Sequence, residues 1–93
     1  MQLPIKYHEV EWFVRRAARD EYVRLQKGLC HHCGCSLAGN PSTEVMHKRI
    51  RRGLFPKGFF DWPVHLHHDH ETGMTIGAVH NRCNAVLWQY HNE

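Results

Sequence analysis

Two short pairs of metal-type ligands lie far apart in this chain, and both have the same spacing. The first is Cys30-His31-His32-Cys33, followed by Gly34; the second is His80-Asn81-Arg82-Cys83. Ligands separated by two residues can grip one ion because the backbone turns tightly between them. A following glycine lets that turn close and its amides point at sulfur. Together Cys30, Cys33, His80 and Cys83 make a Cys3His tetrahedral set, the composition of a closed structural zinc site. Such a site obliges two distant segments to meet, which removes most folds from consideration. The 46 residues between the pairs are too many for a simple zinc finger. A redox role for the C-x-x-C would need a βαβ context, and none is visible; a RING would need more cysteines. Cys35 is left over and reads as a spare buried thiol. His31 and His32, inside the knuckle of residues 30–35, are expected to face solvent.

A chain of 93 residues forms a single domain, 1–93, with a modest core, so a metal staple would contribute real folding energy. The opening MQLPIKYHEVEWF contains no apolar run long enough for a signal peptide or a membrane span. A cytoplasmic location without membrane association is therefore expected, where thiols stay reduced and cysteines bind metal rather than pair. The formal charge of +3 is mildly basic and suits a polyanion without specifying one.

Residues 8–28 carry no proline and no glycine before Gly28. Val10, Phe13, Val14, Ala17, Ala18, Tyr22 and Leu25 recur at helical spacing, predicting an amphipathic N-terminal helix that Gly28 ends. Its cations, Arg15, Arg16, Arg19, Arg24 and Lys27, read first as a solvated face and second as phosphate contacts. The stretch from Glu44 to Trp62 has no clear period. It interleaves Lys48, Arg49, Arg51 and Arg52 with Phe55, Phe59, Phe60 and Trp62. Cations suit phosphates and rings suit sugars or bases, although most of these aromatics are expected to complete the core. Val64 to His70 and Thr75 to His80 flank the turn Glu71-Thr72-Gly73-Met74 and predict a hairpin; Asn81 opens a final helix.

The run His65-Leu66-His67-His68-Asp69-His70 places four histidines in six residues, and zinc accounts for none of them. In order, a zinc knuckle (CHHCG, 30–34), a histidine-rich strand with a glycine turn (HLHHDHETG, 65–73), a second strand and a helix opening (HNRCN, 80–84) resemble the HNH, or ββα-metal, endonucleases. Within them the chain looks most like the phage recombination endonuclease VII family. Two departures stand out: His67 replaces a common Asp, and His80 replaces a common Cys.

The resemblance implies an α+β, zinc-stapled ββα-metal unit over 64–93 behind the N-terminal helix. It implies a metal-dependent DNA endonuclease of bacteriophage or mobile-element type, nicking duplex DNA to leave 5′-phosphate and 3′-hydroxyl ends. His67 and Asn84 would hold a catalytic divalent ion, Mg²⁺, Mn²⁺ or a relative; His68 would be the general base; His70 would orient the base or contact phosphate. The chemistry is consistent. Hydrolysis needs a proton acceptor near neutral pH, which a neutral imidazole provides, and a cation on the developing charge. Lys48, Arg49, Arg51, Arg52 and Arg82 would bind DNA. Neighbours in a regular strand point to opposite faces, so His67 and His68 can serve one phosphate only if the strand is irregular near His68. His65 reads as a satisfied polar residue of the hairpin, and Asp69 either as the same or as a partner for an imidazole. Alternatives are a four-way-junction resolvase and a zinc-stapled DNA-binding module that does not cut. With nine residues after Asn84 and an apolar helix stripe needed for its own core, a monomer is expected.

Overall fold

The hairpin is the part whose geometry follows most directly from its sequence. Gly73 sits at φ +74°, a conformation that side chains disfavour, and the turn closes through Asp69 N–H to the Met74 carbonyl at 2.9 Å. Asp69 adds its carboxylate, accepting from the amides of Glu71 (2.8 Å) and Thr72 (3.0 Å). This is the local bonding for which aspartate is favoured in turns. Asp69 is thus a satisfied residue of the turn, one of its two readings from sequence, and its charge also acts on the His68 and His70 imidazoles.

The computed structural model describes residues 1–92. In chain order it contains a 3₁₀ turn (Tyr7–Glu9), helix α1 (Trp12–Leu25), short helix α2 (Thr43–His47), a second 3₁₀ turn (Arg52–Leu54), strands β1 (Val64–His68) and β2 (Thr75–His80), and helix α3 (Asn81–His91). The architecture is α+β, with one two-stranded antiparallel sheet. Among the described residues no helix is long and apolar enough to cross a membrane.

The strands pair from Val64↔His80 through His67↔Gly77, then step to His68↔Thr75. Ile76 is therefore the extra residue of a bulge in β2, and the ladder bends between His67 and His68. The irregularity lies where the sequence called for one, although its extra residue belongs to the partner strand.

The N-terminal helix differs from the expected 8–28. Val10 is extended (φ −123°, ψ 158°), and the chain before it makes only a single 3₁₀ turn. The reason is tertiary. The Tyr7 amide donates to the Gly73 carbonyl at 2.8 Å, and the Ile5 carbonyl accepts from Thr75 at 3.0 Å, so the hairpin claims this segment. The Arg15 guanidinium then holds the break, donating to the carbonyls of Tyr7 (3.2 Å) and Val10 (3.0 Å). The buried face also differs. Ala18 is fully covered and Tyr22 half-buried, whereas Phe13 and Leu25 are 55% and 56% exposed. The stripe read from spacing mixed inward and outward positions.

Past the helix, the Gln26 side chain bonds both backbone groups of Ala78, accepting from its amide and donating to its carbonyl, each at 2.9 Å. It acts as a one-residue strand on the edge of β2 that does not pair with β1. Gly77 makes this approach possible: a Cβ there would lie 2.9 Å from both Gln26 Oε1 and His31 Cγ. The core comprises Cys30, Leu37, Val45, Ala78, Val79, Cys83 and Val86. α2 supplies Val45, its first turn capped by Ser42 Oγ accepting from the Val45 amide at 3.4 Å. Phe55, Phe59 and Phe60 do not join that core. They form their own half-buried cluster, with ring centroids 4.7–5.7 Å apart.

Candidate metal centre and histidine cleft

The two ligand pairs meet. The ligand atoms of Cys30, Cys33, His80 and Cys83 all lie within 4.8 Å of one another. The knuckle forms because the Gly34 amide donates to the Cys30 carbonyl at 3.0 Å and the Cys30 amide to the Cys35 carbonyl at 2.8 Å. The His32 amide points at Cys30 Sγ, 3.4 Å away. His80 Nε2 lies 2.8 Å from the Ser36 carbonyl, an acceptor only, so that nitrogen carries the proton. Its Nδ1 lone pair then faces sulfur, 3.6 Å from Cys33 and 3.5 Å from Cys83. A backbone carbonyl fixing the far nitrogen is the usual support of a metal-binding histidine.

The electrostatics agree. The Cys30 thiol is held far below its ordinary value, chiefly by a hydrogen bond from Cys83, and the same contact with burial pushes Cys83 up. A cation among the sulfurs would take the place of that shared proton. The donor set fits zinc. Cys35 lies outside the group and is half-buried rather than buried, while His31 and His32 are exposed as expected.

On the other side of the hairpin, β1, α1, α3 and the aromatic cluster line a cleft of about 640 Å³. His67, His68, His70 and Asn84, the four residues expected in catalysis, all reach it. One residue along a helix rotates the side chain by about 100°, so Cys83 can face the core while Asn84 faces β1. Asn84 Nδ2 lies 3.1 Å from His65 Nδ1. Burial, with the Arg19 charge also acting against protonation, lowers the His65 pKa, and the neutral ring accepts from the amide. That leaves Asn84 Oδ1 for another partner, so His65 orients Asn84. Period two already places His65 and His67 on one strand face, and this was the signal that could have found it.

His67 is buried, at 4% exposure. His68 is half-buried, stacked on Tyr7 and edge-on to His8 (5.1 Å) and His70 (5.3 Å). Burial, then the neighbouring charges of His70, His8 and His67, push the His68 imidazole down to about 4. It is therefore neutral at physiological pH, the form that accepts a proton. His70 is exposed at the rim, 6.2 Å from Trp88. Arg15, Arg16 and Arg19 of α1 line the same cleft, which the solvated-face reading of that helix did not anticipate.

The remaining basic residues divide. Arg49, Arg51 and Arg52 are exposed on the segment between α2 and β1, with Arg52 over the Phe60 ring at 4.3 Å and Lys48 over Tyr90 at 5.0 Å. α3 anchors that segment: Gln89 and Tyr90 donate to the Arg49 carbonyl at 3.0 and 2.6 Å. Arg82 has a task the sequence did not disclose. Its guanidinium donates to the carbonyls of Val45, Met46 and Lys48 at 2.8–3.4 Å, tying α2 to α3. No family model matches the chain, and no curated protein or solved structure shows significant similarity to it.

Proposed function

We propose that this chain is a metal-dependent DNA endonuclease of the HNH, ββα-metal kind, hydrolysing phosphodiester bonds to 5′-phosphate and 3′-hydroxyl ends. One observation carries the reading: His67, His68 and Asn84 line one cleft, at the point where the β1–β2 ladder bends.

His68 takes the proton from the attacking water, having been kept neutral by its surroundings. His67 and Asn84 would hold a divalent ion; when bound, it supplies positive charge to the phosphate and to the leaving 3′-oxygen. An imidazole with an amide oxygen is a neutral donor pair, acceptable to Mn²⁺, Co²⁺ or Ni²⁺ as well as Mg²⁺. His65 holds Asn84 in place. The Cys3His site, on the far side of the hairpin, staples the knuckle to α3 and keeps the ion ligands in register. Arg16 and Arg19 bring the phosphate backbone to the cleft.

The test is supercoiled plasmid incubated with the zinc-loaded protein, with and without Mg²⁺ or Mn²⁺, beside His68→Ala. Divalent-dependent conversion to open-circular DNA that His68→Ala abolishes is the expected result. Cleavage by the variant at the parent rate removes His68 from the chemistry, and no cleavage in any divalent ion removes the nuclease reading.

A further inference from the structure

The chain contains three tryptophans, and all three line the histidine cleft. All three are also exposed: Trp12 by 63%, Trp62 by 67% and Trp88 by 45%. They come from three separate elements, the start of α1, the approach to β1 and the middle of α3. Leaving a ring of this size in water forfeits the burial free energy that a small domain most needs. Clustered exposed apolar groups mark binding surfaces. Phe55 and Phe59 complete the same wall, and Arg16 and Arg19 stand beside it.

The cleft thus offers flat aromatic faces and fixed positive charge together. That combination discriminates between forms of DNA. In a duplex the base faces are covered by stacking, and only edges are presented in the grooves. An aromatic platform has nothing to stack on there. A strand whose bases are unpaired exposes those faces, and its phosphates remain available to arginine. The wall, moreover, carries few of the amide and carboxylate groups that read base edges.

We propose, resting on the endonuclease reading, that the cleft takes DNA with unpaired, unstacked nucleotides: a single strand, or a duplex where it opens. Trp12 and Trp62 stack on bases while Arg16 and Arg19 hold the adjoining phosphates. Cleavage of duplex DNA then occurs where a strand can be drawn out of the stack.

Because every tryptophan lines the cleft, intrinsic fluorescence reports its occupancy directly. Zinc-loaded His68→Ala protein, without added divalent ion, is titrated with an oligo(dT) strand and with a hairpin duplex of equal phosphate count. The strand should quench the fluorescence and bind at least about tenfold tighter than the duplex, as stacking of one or two bases allows. Trp12→Ala and Trp62→Ala, both at sites exposed enough to leave the fold intact, should each weaken strand binding by about five- to hundredfold. Their salt dependence should stay unchanged, since stacking releases no counterions. Equal quenching and affinity for the duplex overturns the proposal. So do unaltered strand affinities in the variants, or tryptophans shielded by self-association in light scattering. Plasmid cleavage by the parent protein is scored separately. A protein that grips oligo(dT) through its tryptophans yet never cuts removes the nuclease reading alone. One that cuts yet binds strand and duplex alike removes this proposal alone.

Discussion

Tyr7 lies flat against His68, with ring centroids 4.0 Å apart and 13° between the planes. The contact closes one face of the proposed base against water, and the hairpin itself holds it, through Tyr7 N–H to the Gly73 carbonyl. Loss of solvent disfavours the charged imidazole, and the positive neighbours add to it, so the His68 pKa falls to about 4. The sign follows: protonation inactivates the base, and a depressed pKa moves that inactivation to lower pH. The acid limb of kcat/KM, which reports the free enzyme, should lie well below the ordinary histidine value of about 6.5. Tyr7→Ala should shift the limb upward. A pH–rate profile from about pH 4 to pH 8 checks both points. A limb at the ordinary value in the parent, or one that Tyr7→Ala leaves in place, contradicts the assignment.

The zinc staple and the base should separate cleanly by mutation. His68→Ala removes a half-buried ring at the cleft and should lower cleavage by about 10²–10⁴-fold while zinc content and melting temperature hold. Cys83 is completely buried, and Cys83→Ser should release zinc and lower the melting temperature by more than about 10 °C. Metal analysis and thermal melts of the two variants decide. Full zinc occupancy in Cys83→Ser would exclude Cys83 from the metal centre.

Much of the metal centre and the hairpin was legible because the signals are local. Two ligand pairs at a fixed spacing, and a glycine turn between two short runs, need no knowledge of the rest of the chain. The bulge was legible for another reason: two adjacent histidines read as serving one phosphate call for an irregular strand. What was not legible depends on distant contacts. The helix break at Val10 depends on Tyr7 pairing with Gly73, near the far end of the chain. Spacing placed Phe13 and Leu25 on the same stripe as Ala18, and only the hairpin decides which of them is covered. The structural task of Arg82 was hidden because α2, unassigned from sequence, gives no hint of the carbonyls it offers. His65 was read as inert because the residue it orients, Asn84, belongs to another element.

DNA binding should weaken as salt rises, and the slope should separate the cations. Arg16 lines the cleft and is exposed, and Arg51 is exposed on the segment before β1. Each single alanine substitution should reduce the slope of log K against log salt by about 1, the signature of one lost phosphate contact. Arg82→Ala should instead lower thermal stability, since its donors hold carbonyls of α2. Titrations at several salt concentrations give the slopes. An unchanged slope for Arg16→Ala or Arg51→Ala returns that residue to ordinary surface charge.

The protein is expected to act as a monomer that nicks one strand per encounter. Two matched cuts require two sites in fixed relation, normally across a symmetric dimer. α1 does not offer a continuous interface for one. Its exposed Phe13 and Leu25 stand about 18 Å apart along the axis, and Arg16 and Asp20 between them are exposed as well. Light scattering should give the mass of one 11.0 kDa chain. Open-circular plasmid should accumulate before linear DNA. A stable dimer that linearises plasmid without a nicked intermediate, or that prefers four-way junctions, points to a resolvase.

Asn84 can hold an ion only if its carbonyl oxygen is presented, and the 3.1 Å contact with His65 is what turns the amide. His65→Phe keeps a ring of similar size against Phe59, whose centroid lies 4.7 Å away, but removes the acceptor. The amide is then free to rotate. Loss of such a supporting contact typically weakens metal binding by about 10–100-fold. Mn²⁺ affinity, measured by electron paramagnetic resonance on zinc-loaded protein, should fall by that factor, and the Mn²⁺ concentration for half-maximal cleavage should rise with it. Zinc content and the acid limb set by His68 should stay where they are, since His65 touches neither. A purely structural role for His65 would lower the melting temperature and leave Mn²⁺ affinity alone, and that outcome would move the ion away from Asn84.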